Sequence, residues 1–126
     1  MPSEPNRPPR RILIVENDIG LAEELRARNV AVNALWPVTA IESAAVINFG
    51  VGGPADWRKP AIMADATVEI VTTPPAELTG QALLDEDFLR TRGWTDFRRY
   101  RCDPDHEPPR FALRDLPRAG RVRPTT

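Results

Sequence analysis

The chain has 126 residues, with 17 Lys plus Arg against 18 Asp plus Glu and a formal charge of -1. It is therefore one domain at most, and it lacks the broad field that would gather nucleic acid or anionic lipid. Its single cysteine excludes an intramolecular disulfide, residues 1–11 hold no apolar secretory segment, and no apolar run is long enough to span a bilayer. The expectation is a soluble, cytoplasmic protein with no nucleic-acid and no membrane partner.

Residues 1–10 contain four prolines and two arginines and read as a disordered lead-in, because proline cannot donate to a hydrogen-bond ladder. The aliphatic run ILIV at 12–15 suits a buried strand, and Glu16, Asn17 and Asp18 suit the turn after it, with Asp18 as a helix N-cap. From 19 to 28, Leu21, Ala22 and Leu25 recur at helical spacing, while Glu23, Glu24, Arg26 and Arg28 form a wet face. Glu24 and Arg28 stand four apart in the favourable order, an arrangement worth about 0.2–0.5 kcal/mol. Asn29 is placed to close this helix.

The run VAVNALW at 30–36 predicts a second strand, interrupted by Asn33 and stopped by Pro37. Strand, helix and strand in this span form a short βαβ unit, whose right-handed crossover sets the two strands parallel. A loop of small and hydroxyl residues follows, then a weak helix at 43–49 and a break at Gly50, Gly52, Gly53 and Pro54. Residues 57–60 (WRKP) open the longest helix, with Pro60 in its first turn and an apolar stripe of Ile62, Met63, Ala66 and 68–71. Thr72, Thr73, Pro74 and Pro75 end it. A third strand spans 81–84, and Asp85, Glu86 and Asp87 begin a short helix to about Thr91, since carboxylates favour the positive end of a helix dipole. Gly93 closes that helix, and 94–126 should wrap around the domain rather than form a layer of it.

The inventory is α/β: a partial Rossmann-like parallel sheet of about three strands with flanking helices. Its division is a lead-in at 1–10, a domain at 11–102 and a Pro/Arg-rich tail at 103–126. Parallel sheets are covered on both faces and rarely stop at three strands, so an unpaired sheet edge is expected.

Three ordered blocks then resemble one family. LAEELRARNVAVNALWPVTAIESAAV, RKPAIMADATVEIVTTPPAELTGQALLDEDFL and GWTDFRRYRCDP are similar to the C-terminal third of a short-chain dehydrogenase/reductase. The subgroup they resemble includes hydroxysteroid-dehydrogenase-like proteins and citronellol/citronellal-type dehydrogenases. The resemblance implies an NAD- or NADP-dependent hydroxyl/carbonyl oxidoreductase. It also implies that the strand carrying Asn33 feeds the loop that holds the nicotinamide ring. Pro37 would turn the chain, backbone groups at Ile41 would meet the carboxamide, and Ser43 would stand for the usual threonine hydroxyl near carboxamide and phosphate. Residues 44–59 resemble the variable substrate lid, and 79–84 the last core strand.

Other parts of that family's pattern do not occur in the sequence. The only glycine cluster, at 50–53, follows no strand, so it is not the glycine-rich dinucleotide turn. The one tyrosine, Tyr100, and the one lysine, Lys59, cannot form Tyr-x-x-x-Lys, in which lysine lowers the phenol's pKa for acid/base work. Arg7 and Arg11 sit near those places by ungapped spacing, and arginine stays protonated. The expectation is a truncated or rearranged dehydrogenase, inactive alone, with no catalytic residue and no metal ligand of its own.

Two alternatives stand beside it. One is an interaction module whose sheet edge pairs with a second copy or with a complete dehydrogenase subunit. The other is a receiver-like regulator, since RRILIVENDIGLAEEL resembles the start of a response-regulator receiver, although the acceptor aspartate and following lysine are not found downstream. Cys102, Asp103, Asp105 and His106 read as a solvated tail rather than a metal set. Trp36, Trp57, Trp94 and Phe97 are either core and lid or the lining of an apolar pocket.

Overall fold

A computed structural model describes residues 10–14, 20–111 and 120–121, with side chains described for 20–111. Val15 and the turn at Glu16, Asn17 and Asp18, including the N-cap expected at Asp18, lie outside the described residues.

Strand β1 (Arg10–Ile14) pairs in parallel with β2 (Val30–Trp36), in register from Arg10 opposite Val30 to Ile14 opposite Ala34. Helix α1 (Gly20–Arg26) connects them, as the βαβ reading requires. Asn29 closes the connection in the left-handed region at φ 57°, a conformation that asparagine tolerates better than most side chains. The helix stops at Arg26, two residues short of the sequence reading, so its ion pair is Glu23–Arg26 and not Glu24–Arg28.

On its other side β2 pairs in parallel with β5 (Gln81–Leu84), Ala34 opposite Ala82 and Trp36 opposite Leu84. The sheet order is β1-β2-β5-β6, where β6 (Gly120–Arg121) runs antiparallel to β5. This last strand is an addition to the three expected from sequence. Among the described strands β1 is the outermost on its side, in keeping with the expected edge.

Strand β2 is buried on both faces, and its alternation divides the core. Val32 and Ala34 join Ala22 and Ala82 under α1, with Leu25 and Trp36 beside them. Leu35 points the other way, into a larger cluster of Ile62, Ala66, Ile70, Phe88, Leu89, Phe97 and Tyr100. That second layer is built by α3 (Ala61–Val71) and α4 (Asp85–Thr91). Only one stripe of α3 is core: Ile62, Ala66 and Ile70 are buried, whereas Val68 is 58% exposed.

The reading of 57–60 as a helix start is corrected. Trp57–Arg58 is a short strand, β4, paired in parallel with β3 (Ala40–Ile41), and α3 begins after Pro60 at its N-cap. The Arg58 carbonyl accepts from Glu42 N–H at 2.9 Å, and an extended partner requires an extended Arg58. Between the two strands lies α2 (Ala44–Asn48), where the weak helix was expected.

The segment after Asp103 packs against the domain as far as residue 111. Pro108 is buried, and Phe111 N–H donates to Val38 O at 2.8 Å. The aromatic residues resolve mainly as core: Phe97 and Tyr100 lie in the larger cluster, Trp94 packs on it, and the buried Trp57 donates from Nε1 to Val51 O at 2.8 Å. Among the described residues, no helix is long and apolar enough to cross a membrane.

Candidate functional site

The carboxyl ends of β2 and β5 lie side by side at Trp36 and Leu84, and both chains turn there. Open α/β sheets bind ligands outside the carboxyl ends of their parallel strands, which makes residues 37–43 and the start of α4 the place to look. Pro37 ends β2, having no N–H to continue the ladder. Val38 follows, fully buried and held on both sides. Its N–H donates to Asp85 Oδ1 at 3.1 Å, and its carbonyl accepts from Phe111 N–H.

Ile41 comes next, in β3. In a parallel ladder, bonding alternates along each strand, so a residue bonded to its partner strand is followed by one that points away. Because the Glu42 N–H bonds the Arg58 carbonyl, the N–H and C=O of Ile41 face the edge opposite β4, off the ladder. Ser43 is exposed and caps α2, its Oγ accepting from Val46 N–H at 3.5 Å. That leaves the hydroxyl proton available to donate. Pro37, Ile41 and Ser43 thus share one loop.

Asn33 does not join them. It is 1% exposed and sits beside the start of β5, with both ends of its amide engaged. Its Nδ2 donates to Leu78 O at 3.1 Å, and its Oδ1 accepts from Gln81 N–H at 3.2 Å. Two more bonds flank it: Val32 N–H donates to Thr79 Oγ1 at 3.1 Å, and Gly80 N–H to Val32 O at 2.8 Å. Gly80 makes this turn at φ 69°, where a side chain would be strained. Asn33 is therefore a clamp that sets the register of β5 against β2.

Residues 85–87 do more than complement a helix dipole. Asp85 is fully buried, and Oδ1 accepts from both Val38 N–H and Glu86 N–H, while Oδ2 meets no hydrogen-bond donor among the described residues. Burial pushes its carboxyl above the usual aspartate range, and the two backbone donors and Arg58 offset only part of that. Glu86 is the hub of an ion network. Its Oε1 accepts from the buried Arg58 at 2.6 Å, and its Oε2 from Arg90 at 3.2 Å and Arg110 at 3.0 Å. Burial raises the Glu86 carboxyl, but the arginines outweigh it and hold it below its ordinary value.

Arg58 also reaches Glu107 at 3.3 Å, and Arg101 pairs with Glu107 as well. A cleft of about 440 Å³ opens over this network, lined by Arg58, Glu86, Arg90, Phe97, Arg98 and Glu107 among others. The sequence reading missed Arg58 as the partner of Glu86 and Asp85 as the partner of Val38. A usable signal was present: three acidic residues follow the apolar run ALL at 82–84 directly, which leaves little room for all three to lie on a solvent side.

Cys102 and His106 do not converge. The Cys102 thiol donates to Glu42 Oε2 at 2.9 Å, and His106 Nδ1 lies 2.9 Å from Asp103 Oδ2. Among the described residues, no group of three or more His, Cys, Asp or Glu could hold a metal ion. Desolvation and the Glu42 carboxylate push the thiol up to about 11. Alkylation of Cys102 at pH 8 is therefore expected to run roughly a hundredfold slower than that of an ordinary exposed thiol, since the thiolate is the nucleophile. Glu42→Ala should recover the part of that rate due to the carboxylate rather than to desolvation, as timed mass spectrometry would show.

With this geometry in place, the comparisons are informative. No family model matches the sequence. The hydroxysteroid dehydrogenase-like protein 2 of Danio rerio is 46% identical over 91 residues, covering 70% of this chain and 21% of that protein. The protein of the same name from Homo sapiens is 40% identical over 103 residues, covering 80% of this chain and 24% of its own length. The crystal structure of a short chain dehydrogenase from Mycobacterium thermoresistibile superposes with a TM-score of 0.65 at 40% identity, over 75% of this chain and 34% of that one. The chain thus spans about a fifth to a quarter of the length of the curated relatives it matches. Sequence and backbone agree on the relationship: over most of its length, this chain is homologous to one part of the short-chain dehydrogenases of the hydroxysteroid-dehydrogenase-like kind.

Proposed function

We propose that this chain forms the nicotinamide-facing wall of an NAD- or NADP-dependent hydroxyl/carbonyl oxidoreductase, and that it does not complete the reaction alone. The observation that carries this reading is the pair of main-chain groups on Ile41, one donor and one acceptor, turned off the β3–β4 ladder at the carboxyl end of the sheet. A nicotinamide carboxamide presents one acceptor and one donor at fixed separation, and a rigid backbone offers their complements without ordering a side chain. Ser43 adds a hydroxyl donor beside them, Pro37 sets the exit from β2, and Asn33 acts indirectly by holding the strand.

When bound, the cofactor supplies or accepts the hydride; these residues orient it. The proton that must move with the hydride needs a titrating group, and no Tyr-x-x-x-Lys occurs in the sequence. The only tyrosine, Tyr100, is no substitute. It is buried, and desolvation together with its 2.5 Å hydrogen bond to Asp65 raises its pKa far above the ordinary value. Activity then depends on groups supplied by other polypeptide, such as a complete dehydrogenase subunit pairing along the outer strand β1. Within residues 44–59, the exposed part before β4 would face the substrate. Its exposed Ile47, Phe49 and Val51, the second of them 83% exposed, suit an apolar alcohol or carbonyl, in line with the finer likeness to citronellol/citronellal-type enzymes.

Amide spectra of the isotopically labelled full chain, titrated with NADH and with NADPH, test this directly. The Ile41, Glu42 and Ser43 signals are expected to shift with at least one of the two. No shift at those residues with either would refute the cofactor reading, and alcohol oxidation by the purified chain alone would refute its dependence on a partner.

A further inference from the structure

The two main-chain groups of Val38 are held by two different parts of the chain. Asp85 takes its N–H from below, at the start of α4, and Phe111 donates to its carbonyl from a segment that arrives much later in sequence. That later segment is itself tied down. Glu107 bridges Arg58 and Arg101, Pro108 is buried, and Arg110 reaches Glu86 Oε2 and Asp87 Oδ1, each at 3.0 Å. Residues 107–111 therefore form a strap that crosses the first turn of α4 and meets the loop at Phe111. Val38 is three residues before Ile41, so whatever fixes the Val38 peptide limits where the Ile41 backbone can point.

We propose that Asp85 and the strap at residues 107–111 are positioning elements for the cofactor loop, gripping the Val38 peptide from both sides so that the N–H and C=O of Ile41 are presented in one orientation. This rests on the cofactor reading above for what the orientation serves. The burial of Asp85 supports it, because a fully buried carboxylate with one oxygen lacking a donor among the described residues is a costly way to hold a loop. A capping role alone would be met by an exposed aspartate.

The test uses the labelled full chain and four variants. Asp85→Asn keeps an acceptor for Val38 N–H, and Asp85→Ala removes it. Phe111→Ala keeps the backbone donor, and Phe111→Pro removes it while leaving every residue of α4 in place. Hydrogen exchange at the Val38 amide is expected to speed up about tenfold or more in Asp85→Ala, the loss of a buried hydrogen bond, and to stay near wild type in Asp85→Asn. The shifts that NADH or NADPH induces at Ile41 and Ser43 should survive in Asp85→Asn and Phe111→Ala and vanish in Asp85→Ala and Phe111→Pro. Unchanged Val38 exchange in Asp85→Ala, or Ile41 and Ser43 shifts that persist in Phe111→Pro, would overturn the proposal. If Asp85→Ala does not fold, the Phe111 pair decides through the same shifts. If the wild type shows no shift with either dinucleotide, the cofactor reading fails, and Val38 exchange in the Asp85 pair still decides the grip.

Discussion

Replacing Glu86 with alanine is expected to cost about 3–5 kcal/mol in a urea or guanidinium unfolding titration, the range for removing one partner of a buried ion pair. The side chain of Arg58 is 2% exposed and that of Glu86 8%, so the arginine left behind could not regain water without opening the cluster around Phe97. Its remaining anionic partner, Glu107, is 58% exposed and bonds at 3.3 Å. Arg58→Met should cost less. Glu86 keeps Arg90 and Arg110, and methionine fills much of the arginine's volume. A domain of this size has about 5–15 kcal/mol of stability in total, so Glu86→Ala should lie near the limit of folding at 37 °C.

The sign of the pH dependence follows from the lowered pKa of Glu86. A carboxyl whose folded pKa lies below its unfolded value stabilises the fold above the unfolded value of about 4.5, and that stabilisation is lost as pH falls through the folded value. The gap between wild type and Glu86→Gln should therefore narrow below pH 4.5. Asp85 runs the other way. Its folded pKa is raised, so its contribution is fully present below the ordinary 3.8 and is lost as pH rises through the folded value. Asp85→Asn should consequently gain on wild type between pH 4 and neutrality, and a deficit that grows with pH would contradict the assignment.

Asn33→Ala is expected to cost about 2–4 kcal/mol, because it leaves the Leu78 carbonyl and the Gln81 N–H without partners at a part-buried site. The effect should be concentrated between β2 and β5. Amide exchange at Gln81 should rise sharply, while α3, held by Ile62, Ala66 and Ile70, should keep most of its protection. If Asn33 instead served only a ligand, its loss would leave stability unchanged and would alter dinucleotide shifts alone.

Much of the architecture was legible because it depends on chemistry within a few residues. The apolar run at 30–36 marked β2, Pro37 marked its end, Asn29 closed α1, and Gly93 closed α4 at φ 91°. The loop was legible too, as a proline followed by small and hydroxyl residues at a strand end. The role of Asn33 was not. A polar residue in an apolar strand reads as a site or as a satisfied core group, and the choice depends on Leu78 and Gln81, which are 45 and 48 residues away.

The same distance separates what the sequence determined by itself from what the tertiary structure decided. Local periodicity and chain breakers set the order of strands and helices, because each such signal lies within a turn or a strand, and three ordered sequence blocks carried the family likeness. The extended Arg58, the antiparallel β6 and the grip on Val38 depend instead on partners that only the folded chain brings near. Arg58 meets Glu86 across 28 residues and Val38 meets Asp85 across 47. A charge beside a strand reads as solvated until the fold removes the water, and burial then makes Arg58, Glu86 and Asp85 depend on those partners.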